Sequence, residues 1–381
     1  MEVGRLVDAF QSALDRAQDS KHGSTVAIVS SGVVLLAGAY VLTRRSKSKS
    51  KPGTLDLIKE PYGANGQVKG AFDGYSDAYS AEAGESVVEK DRAPELADTF
   101  YNLVTDFYEW GWGQSFHFSP PLPGKGWYAA EVAHETRIAG LLGLKPGMKC
   151  LDAGCGVGGP MRTISCASGA EVTGVTINQY QVDRANYHNN RMGIELCKLV
   201  KSNFLKMPFE DNTFDAAYAI EATCHAPTLE EVYGEIYRVM KPGSTFVSYE
   251  WLTTPSFDPT NTAHVKLIDA INYGNGLPDM RTLPQALEAA KKCGFELVNE
   301  WDLAINSGSG NWYDRLANIK AHANVVNRFL VNLFSFLRLL PAGVRQVHDM
   351  LLDAAAEGLV SSGELNIFTP MHCIVLRKPK N

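Results

Sequence analysis

The sequence predicts an α/β protein with a doubly wound, mostly parallel sheet and a transmembrane helix ahead of it. Short apolar runs alternate with helical segments over residues 127–251. A glycine-rich loop follows the first of these runs, at 154–159. Near the N terminus, residues 23–43 contain no charged side chain. Alternating strands and helices favour a parallel sheet, and about 20 uncharged residues are enough for one membrane-spanning helix.

The composition fits a folded enzyme with an apolar core. The 381 residues are 45% hydrophobic and 20% charged, and the formal net charge is -6. Disordered chains lack this apolar content, and nucleic-acid surfaces need a basic excess, so both classes are excluded. The seven cysteines show no spacing typical of a metal site or a disulfide framework, which indicates reduced thiols and no bound metal.

The N-terminal part is predicted to be a membrane anchor. Residues 1–22 form a short segment of mixed charge, 23–43 the anchor and 44–92 a basic and polar linker. The basic residues directly after the anchor place the rest of the chain in the cytosol by the positive-inside rule. An interfacial helix and a cleaved signal peptide are the alternatives, and the length and flanks of the run favour the anchor.

The elements of the predicted sheet follow in order. Helical periodicity covers 127–142, and a strand ending at Asp152 leads into the glycine loop. Further strands are predicted at 171–176, 197–200, 214–220 and 245–251, with helices at 179–192 and 229–240. Near the C terminus, 328–340 is an apolar helix, either a lid or a core or dimer helix, and 365–377 is a last strand.

The glycine loop alone fits a dehydrogenase or a methyltransferase, because both bring backbone close to a nucleotide. Its sequence, LDAGCGVGG, resembles motif I of class I S-adenosylmethionine-dependent methyltransferases, with an acid two residues before the first glycine. The resemblance implies this fold and S-adenosylmethionine as methyl donor. Asn178 or Gln179 after the second strand and Asn203 after the third stand where the family binds ribose and adenine. The predicted cofactor residues are Asp152, Gly154, Gly156, Gly158, Asn178, Gln179, Asn203 and Ser115.

A second set of motifs resembles the sterol 24-C-methyltransferases over residues 98–378. These motifs are YEWGWGQSFHFSP, AIEATCHAPTLEEVYGEIYRVMKPG, VSYEW, GLPDMR and IFTPMH. The resemblance is closest to the plant-type branch that acts on 24-methylene sterols. It implies a methyltransferase domain at 93–305, an α-rich sterol-binding C-terminal segment at 306–381, and a single-pass location in the endoplasmic reticulum membrane.

The chemistry of this reaction suggests which side chains take part. Methyl addition to an alkene leaves a carbocation, which aromatic faces stabilise in a dry cavity. Proton removal next to the cation then needs a positioned base. The predicted aromatic substrate-binding residues are Trp110, Trp112 and Phe116. The predicted catalytic residues are Tyr108, Glu109, His117, Glu221 and His225.

Several alternatives stay open at this point. A methyltransferase for a prenylquinol or a fatty acyl chain would use the same fold, and a non-catalytic sterol-binding membrane protein would keep the apolar parts. The acceptor is expected to be cycloartenol or a 24-methylene sterol such as 24-methylenelophenol. The expected partners are the sterol and the lipid bilayer, with no nucleic acid, and a homo-oligomer is left open.

Overall fold

The structure is a computed structural model that describes residues 67–79, 92–305, 310–337 and 340–380. For Trp110 and residues 319–327 only the backbone is described. The predicted anchor at 23–43 and the start of the linker lie outside these residues. Among the helices that are described, none combines the length and the apolar character that a membrane crossing requires.

Strands and helices alternate through the middle of the chain, and in the described residues helices alone precede β1. The helices are α1 Gln67–Asp77, α2 Ala93–Gly111, α3 Trp127–Leu141, α4 Gly159–Ser168, α5 Gln179–Met192, α6 Leu229–Val239, α7 Thr262–Asn275, α8 Leu283–Lys292, α9 Asp314–Phe336, α10 Val344–Asp349 and α11 Glu357–Glu364. A π-helical stretch, Met350–Ala356, joins α10 to α11. The strands are β1 Lys149–Ala153, β2 Glu171–Thr176, β3 Cys197–Lys201, β4 Phe214–Ile220, β5 Met240–Thr253, β6 Arg281–Thr282, β7 Glu296–Asp302 and β8 Phe368–Arg377.

All the strands belong to one mixed sheet of order β3-β2-β1-β4-β5-β8-β7, with β6 paired to β5. The pairs from β3 to β5 are parallel, and β8 runs antiparallel to both β5 and β7. Only β8 is therefore reversed. The prediction of a doubly wound, mostly parallel sheet is confirmed, and so is the last strand expected at 365–377.

Helices cover both faces of this sheet, as in other parallel sheets. On one face, Val232 and Ile236 of α6 and Ala286 of α8 pack in one buried cluster with Phe246. On the other face, Ile138 of α3 belongs to a second buried cluster that includes strand and α4 residues such as Ile164. The carboxyl ends of the parallel strands therefore stay open at one edge of the sheet, where ligands bind in such folds.

The described part of the C-terminal segment contributes a strand to the central sheet. Its strand β8 pairs with β5 between residues Thr245 and Thr253 and separates β5 from β7. The sequence analysis did not predict β7, Glu296–Asp302, because its sequence ELVNEWD is largely polar. This strand is the edge of the sheet and is mostly exposed, so it does not show the apolar run expected of a buried strand.

Candidate active site

A cavity of about 860 Å³, counted to its open mouth, lies at the carboxyl ends of β1, β2 and β4. Its walls come from α2, the loop after α2, the glycine loop, and the loops after β2, β3 and β4. The lining residues are Pro94, Ala97, Tyr101, Gln114, Phe116, His117, Asp152, Gly154, Cys155, Gly156, Val157, Pro160, Thr176, Ile177, Gln181, Asn203, Phe204, Leu205, Ile220, Glu221, Ala222, His225, Ala226 and Pro227.

The glycine loop fits against the rest of the site too closely for side chains. Gly154 has φ +96°, and a Cβ there would lie 2.3 Å from Cβ of Ala222. A Cβ on Gly159 would lie 2.2 Å from the carbonyl oxygen of Gln114. Gly158, with φ +79°, is the N-cap of α4 and lies just outside the cavity lining. These glycines bring the loop, the α2–α3 connection and the β4 loop together.

Asp152 is the last residue but one of β1, just before this loop. Its side chain is buried and accepts a hydrogen bond of 2.8 Å from the Tyr218 hydroxyl. Burial raises the pKa of Asp152 to about 7, and the hydrogen bond from Tyr218 opposes that rise. A buried carboxylate at a strand end, facing a cavity, is suited to receive N–H, O–H or cationic groups of a ligand.

The structure places the two predicted ribose ligands away from the cavity. Asn178 is fully buried, its side-chain oxygen caps α5 by accepting from the Gln181 backbone N–H, and its amide nitrogen donates to Asp98. Gln179 faces solvent and donates to Asp183. Gln181 lines the cavity instead, where its side-chain oxygen accepts from the Thr176 hydroxyl at 2.6 Å.

Of the two remaining predicted cofactor residues, one lines the cavity. Asn203 does so, and its side-chain oxygen accepts from the backbone N–H of Leu205, which fixes the loop after β3. Ser115 does not line the cavity. Its hydroxyl donates to Glu135 at 2.6 Å, so it helps to position the carboxylate that pairs with His117.

His117 lines the cavity as part of a buried ion pair. Its Nδ1 lies 2.8 Å from the carbonyl oxygen of Phe118, and its Nε2 lies 2.9 Å from Oε1 of Glu135. Both acceptors are oxygens, so both ring nitrogens carry protons. Burial acts to lower the pKa of His117, but the Glu135 carboxylate outweighs it and raises the pKa to about 9. The side chain is therefore an imidazolium at neutral pH and holds no lone pair for a proton.

Glu221 follows β4 in an unusual backbone conformation, with φ +52°. Its Oε1 accepts from the Phe118 backbone N–H and its Oε2 from Trp251 Nε1, both at 2.8 Å. Burial raises the pKa of Glu221 to about 8, while His117 and the two N–H donors oppose the rise. A positive φ at a non-glycine residue is costly and persists where function requires the conformation. Here it points a fixed carboxyl group at the cavity.

His225 lies one turn beyond Glu221, in a 3₁₀ turn at Thr223–His225. Its Nδ1 lies 3.2 Å from the carbonyl oxygen of Gly276, and its Nε2 lies 2.8 Å from the Tyr101 hydroxyl. Burial lowers the pKa of His225 to about 4, so the ring is neutral at neutral pH. Arg281 fixes this turn by donating to the carbonyl oxygens of Cys224, Ala226 and Pro227.

The aromatic residues predicted to contact the substrate do not all reach the cavity. Phe116 lines it, and Tyr108 packs edge-on behind Phe116 at a ring distance of 5.3 Å. Trp112 lies outside, since the Arg315 guanidinium already stacks on its ring at 4.5 Å. The Trp110 side chain is not described. Tyr101 and Phe204 also line the cavity, so the aromatic wall consists of Tyr101, Phe116 and Phe204.

Glu109 is placed on the outer side of α2. It accepts from Arg184 at 2.6 and 3.0 Å and lies 2.6 Å from His188 Nε2. Burial acts to raise the pKa of Glu109, but the hydrogen bonds from His188 and Arg184 outweigh it and hold the pKa below its ordinary value. Glu109 therefore joins α2 to α5 and is not available for proton transfer in the cavity.

The described part of the apolar helix expected at 328–340 belongs to α9, which ends at Phe336. None of the described side chains of α9 lines the cavity. Phe329 and Phe336 are 64% and 83% exposed. At its other end, Arg315 lies between the rings of Trp112 and Trp127 and donates to the Trp112 carbonyl at 2.9 Å. Arg315 thus connects α9 to the segment between α2 and α3, outside the cavity.

Tyr101, Glu135 and Gln181 are among the residues of the site that were not predicted. Tyr101 and Glu135 lie within helices and looked like ordinary helical residues. Gln181 had a usable signal, because an N-cap at Asn178 places Gln181 at the third helical position, next to the strand end.

Two known families match the chain. The family described as "Methyltransferase domain" matches residues 151–248. The family described as "Sterol methyltransferase C-terminal" matches residues 317–380. The first match covers the glycine loop and strands β1 to β5 up to residue 248, and the second covers α9 to β8.

Curated proteins match over most of the chain. The 24-methylenesterol C-methyltransferase 2 of Arabidopsis thaliana is 52% identical over 76% of this chain and 80% of its own length. Squalene methyltransferase 1 of Botryococcus braunii is 46% identical over 91% of this chain and 93% of its own length. Among solved structures, the geranyl diphosphate C-methyltransferase of Streptomyces coelicolor has a TM-score of 0.56 at 16% identity, covering 75% of this chain and 98% of that one, which supports the fold.

Proposed function

Because the chain belongs to the sterol methyltransferase family, we propose that it transfers a methyl group from S-adenosylmethionine to the side-chain alkene of a 24-methylene sterol. The observation that carries the proposal is a single cavity that joins a glycine loop to an aromatic and apolar wall. One end suits a nucleoside and the other suits a hydrocarbon.

The residues present fit S-adenosylmethionine. Gly154 and Gly156 line the cavity without a Cβ, so a ligand can approach the loop backbone closely. Asp152 supplies an acceptor for polar groups, Gln181 lies in the first turn of α5, and Asn203 lies in the loop after β3. These residues would hold the nucleoside and amino acid parts. When bound, the cofactor supplies an electrophilic methyl group on a sulfonium.

The acceptor wall fits an alkene better than a phenol or an amine. Its residues include Ala97, Ile220, Ala226 and Pro227, which offer no hydrogen-bonding side chain. An alkene attacks the methyl group without first losing a proton, so this wall needs no strong base beside the acceptor atom.

Cation formation on the substrate is helped by the charges and rings around the cavity. The ring of Phe116 and the fixed carboxyl group of Glu221 face the space where positive charge develops. The two N–H donors hold this carboxyl group in place, so it needs no reorganisation during the reaction. His117 does not compete for the substrate proton, since it is already paired with Glu135.

The proposed activity is tested with the purified full chain in detergent or nanodiscs. Incubation with trideuteromethyl-labelled S-adenosylmethionine and 24-methylenelophenol is expected to give a sterol with one added methyl group on its side chain. Mass spectrometry locates the label. Absence of a labelled sterol, with cofactor binding intact by calorimetry, would contradict the proposal.

A linear triterpene is the second candidate acceptor, because a squalene methyltransferase matches 91% of the chain at 46% identity. Squalene is also a hydrocarbon with alkene groups, which an apolar wall can accommodate. The cavity carries no feature that requires a sterol hydroxyl. Substituting squalene for the sterol in the same assay is expected to give clearly lower turnover, and equal or higher turnover would favour the triterpene.

We propose further that residues 23–43 anchor the enzyme in the endoplasmic reticulum membrane, with the catalytic part in the cytosol. The uncharged run and the basic residues after it support this. A chain lacking residues 1–51 is expected to leave the membrane fraction on carbonate extraction while retaining activity in detergent. If the shortened chain stays in the membrane pellet, the anchor lies elsewhere.

A further inference from the structure

We propose that Tyr101 and His225 together accept the proton that leaves the methylated substrate, with the phenol oxygen of Tyr101 in contact with the substrate and Nε2 of His225 as the final acceptor. The inference rests on the proposed function, since it assigns the proton acceptor of that reaction. It adds Tyr101, which the sequence did not single out as a site residue.

Among the described residues, six titratable side chains line the cavity, and four of them are poorly placed to take this proton. His117 is protonated on both nitrogens, beside Glu135. The two oxygens of Glu221 are each held by an N–H donor. The remaining two lie at the glycine loop, which is the cofactor end: Asp152 and Cys155.

The geometry of the pair fixes the direction of proton flow. The Gly276 carbonyl can only accept, so Nδ1 of His225 carries the proton and Nε2 keeps its lone pair. The Tyr101 hydroxyl therefore donates to Nε2 across 2.8 Å. The phenol oxygen keeps its lone pairs, and Tyr101 lines the cavity. A proton arriving at that oxygen displaces the one already shared with His225.

The backbone around the pair holds this orientation. Gly276 has φ +69°, and a Cβ there would lie 2.9 Å from the ring of Phe100, the neighbour of Tyr101. Arg281 ties the turn that carries His225 to the segment that follows Gly276. The motif GLPDMR, residues 276–281, thus supplies the carbonyl that sets the tautomer and the guanidinium that fixes the turn.

The step balances in atoms and charge. A C–H bond next to the cationic carbon breaks, and its electron pair forms the new alkene. The proton passes to the Tyr101 oxygen while the tyrosine proton passes to Nε2 of His225. Tyrosine ends neutral and histidine ends as an imidazolium, so the positive charge moves from the substrate to the protein. The imidazolium returns its proton to solvent before the next turnover.

The test compares Tyr101→Phe with wild type in single-turnover assays with full product analysis. Removing the hydroxyl keeps the ring, so we expect unchanged cofactor affinity and an alkene yield reduced by about 10²-fold or more, with alcohols from water capture of the cation. Tyr180→Phe is the matched control, because its hydroxyl donates from α5 to Asp106 of α2 outside the cavity. The control is expected to match wild type.

A second measurement does not depend on activity. NMR of the histidine ring nitrogens at neutral pH is expected to show His225 neutral and protonated on Nδ1, with the Nε2 signal shifted in Tyr101→Phe. An imidazolium or an Nε2-protonated ring in wild type would overturn the pair. So would a Tyr101→Phe enzyme that forms the same alkene at the wild-type rate. A wild-type chain inactive on every sterol would instead overturn the proposed function.

Discussion

Replacing Glu221 by glutamine is expected to lower single-turnover methyl transfer by about 10²-fold or more. The loss has two physical sources. At an assay pH above the Glu221 pKa of about 8, the variant removes a negative charge that faces the developing cation. The glutamine side chain also cannot accept both hydrogen bonds, which Phe118 N–H and Trp251 Nε1–H donate to the two carboxyl oxygens at 2.8 Å. A glutamine presents one oxygen and one NH₂ group, so one of the two N–H donors meets another donor, at a cost of about 1–3 kcal/mol.

The matched control is Glu250→Gln. Glu250 is also a buried carboxylate, but it accepts from the hydroxyls of Thr223, Tyr233 and Ser248 and does not line the cavity. Hydroxyls can reverse their direction to accept from an amide, so this variant is expected to fold and to stay close to wild-type activity. Rates are compared at saturating cofactor. If Glu221→Gln is as active as Glu250→Gln, the carboxylate has no role in the reaction.

Replacing Gly154 by alanine is expected to weaken S-adenosylmethionine binding by about tenfold or more, equal to about 1.4 kcal/mol. The new Cβ would lie 2.3 Å from Cβ of Ala222, so the glycine loop and the β4 loop must separate. The positive φ of +96° adds backbone strain. Since both loops line the cavity, the separation alters the cofactor end and the position of Glu221 together. Calorimetric titration with the cofactor measures the loss.

The Gly147→Ala variant is the control that separates the backbone strain of a positive φ from the steric clash of a new Cβ. Gly147 also has a positive φ, +85°, but a Cβ there meets nothing within 4 Å. Its alanine variant is expected to lose about 1–2 kcal/mol of unfolding free energy through the backbone alone and to bind the cofactor normally. Equal cofactor affinities in the two alanine variants would show that the approach of Gly154 to Ala222 is not needed for binding.

The fold was predictable because its strands are apolar and its turns are marked by glycine. The helix expected at 127–142 is Trp127–Leu141, and the strand expected at 171–176 is Glu171–Thr176. The polar edge strand Glu296–Asp302 was not predicted, because the hydrophobic pattern of a sequence reveals strands with a buried face and this strand is mostly exposed. Pairing of β8 between β5 and β7 is a long-range contact, which local patterns do not encode.

The site was predictable only where a motif places a residue at a strand end. Asp152, Glu221 and His225 all reach the cavity for that reason. Glu109 and Trp112 belong to the same aromatic block as Phe116, but Glu109 lies on α2, Trp112 directly follows it and Phe116 lies in the loop beyond, so the three side chains point in different directions. Which of them faces the cavity depends on partners from distant segments, Arg184 for Glu109 and Arg315 for Trp112.

A direct competition tests whether this cavity methylates a sterol side chain. Equal amounts of 24-methylenelophenol and squalene in one set of nanodiscs are offered to the full chain with labelled S-adenosylmethionine. We expect the label to enter predominantly the sterol, on its side chain, in the ratio of the two kcat/KM values. Label predominantly in squalene, or in neither acceptor while the cofactor still binds, would contradict it.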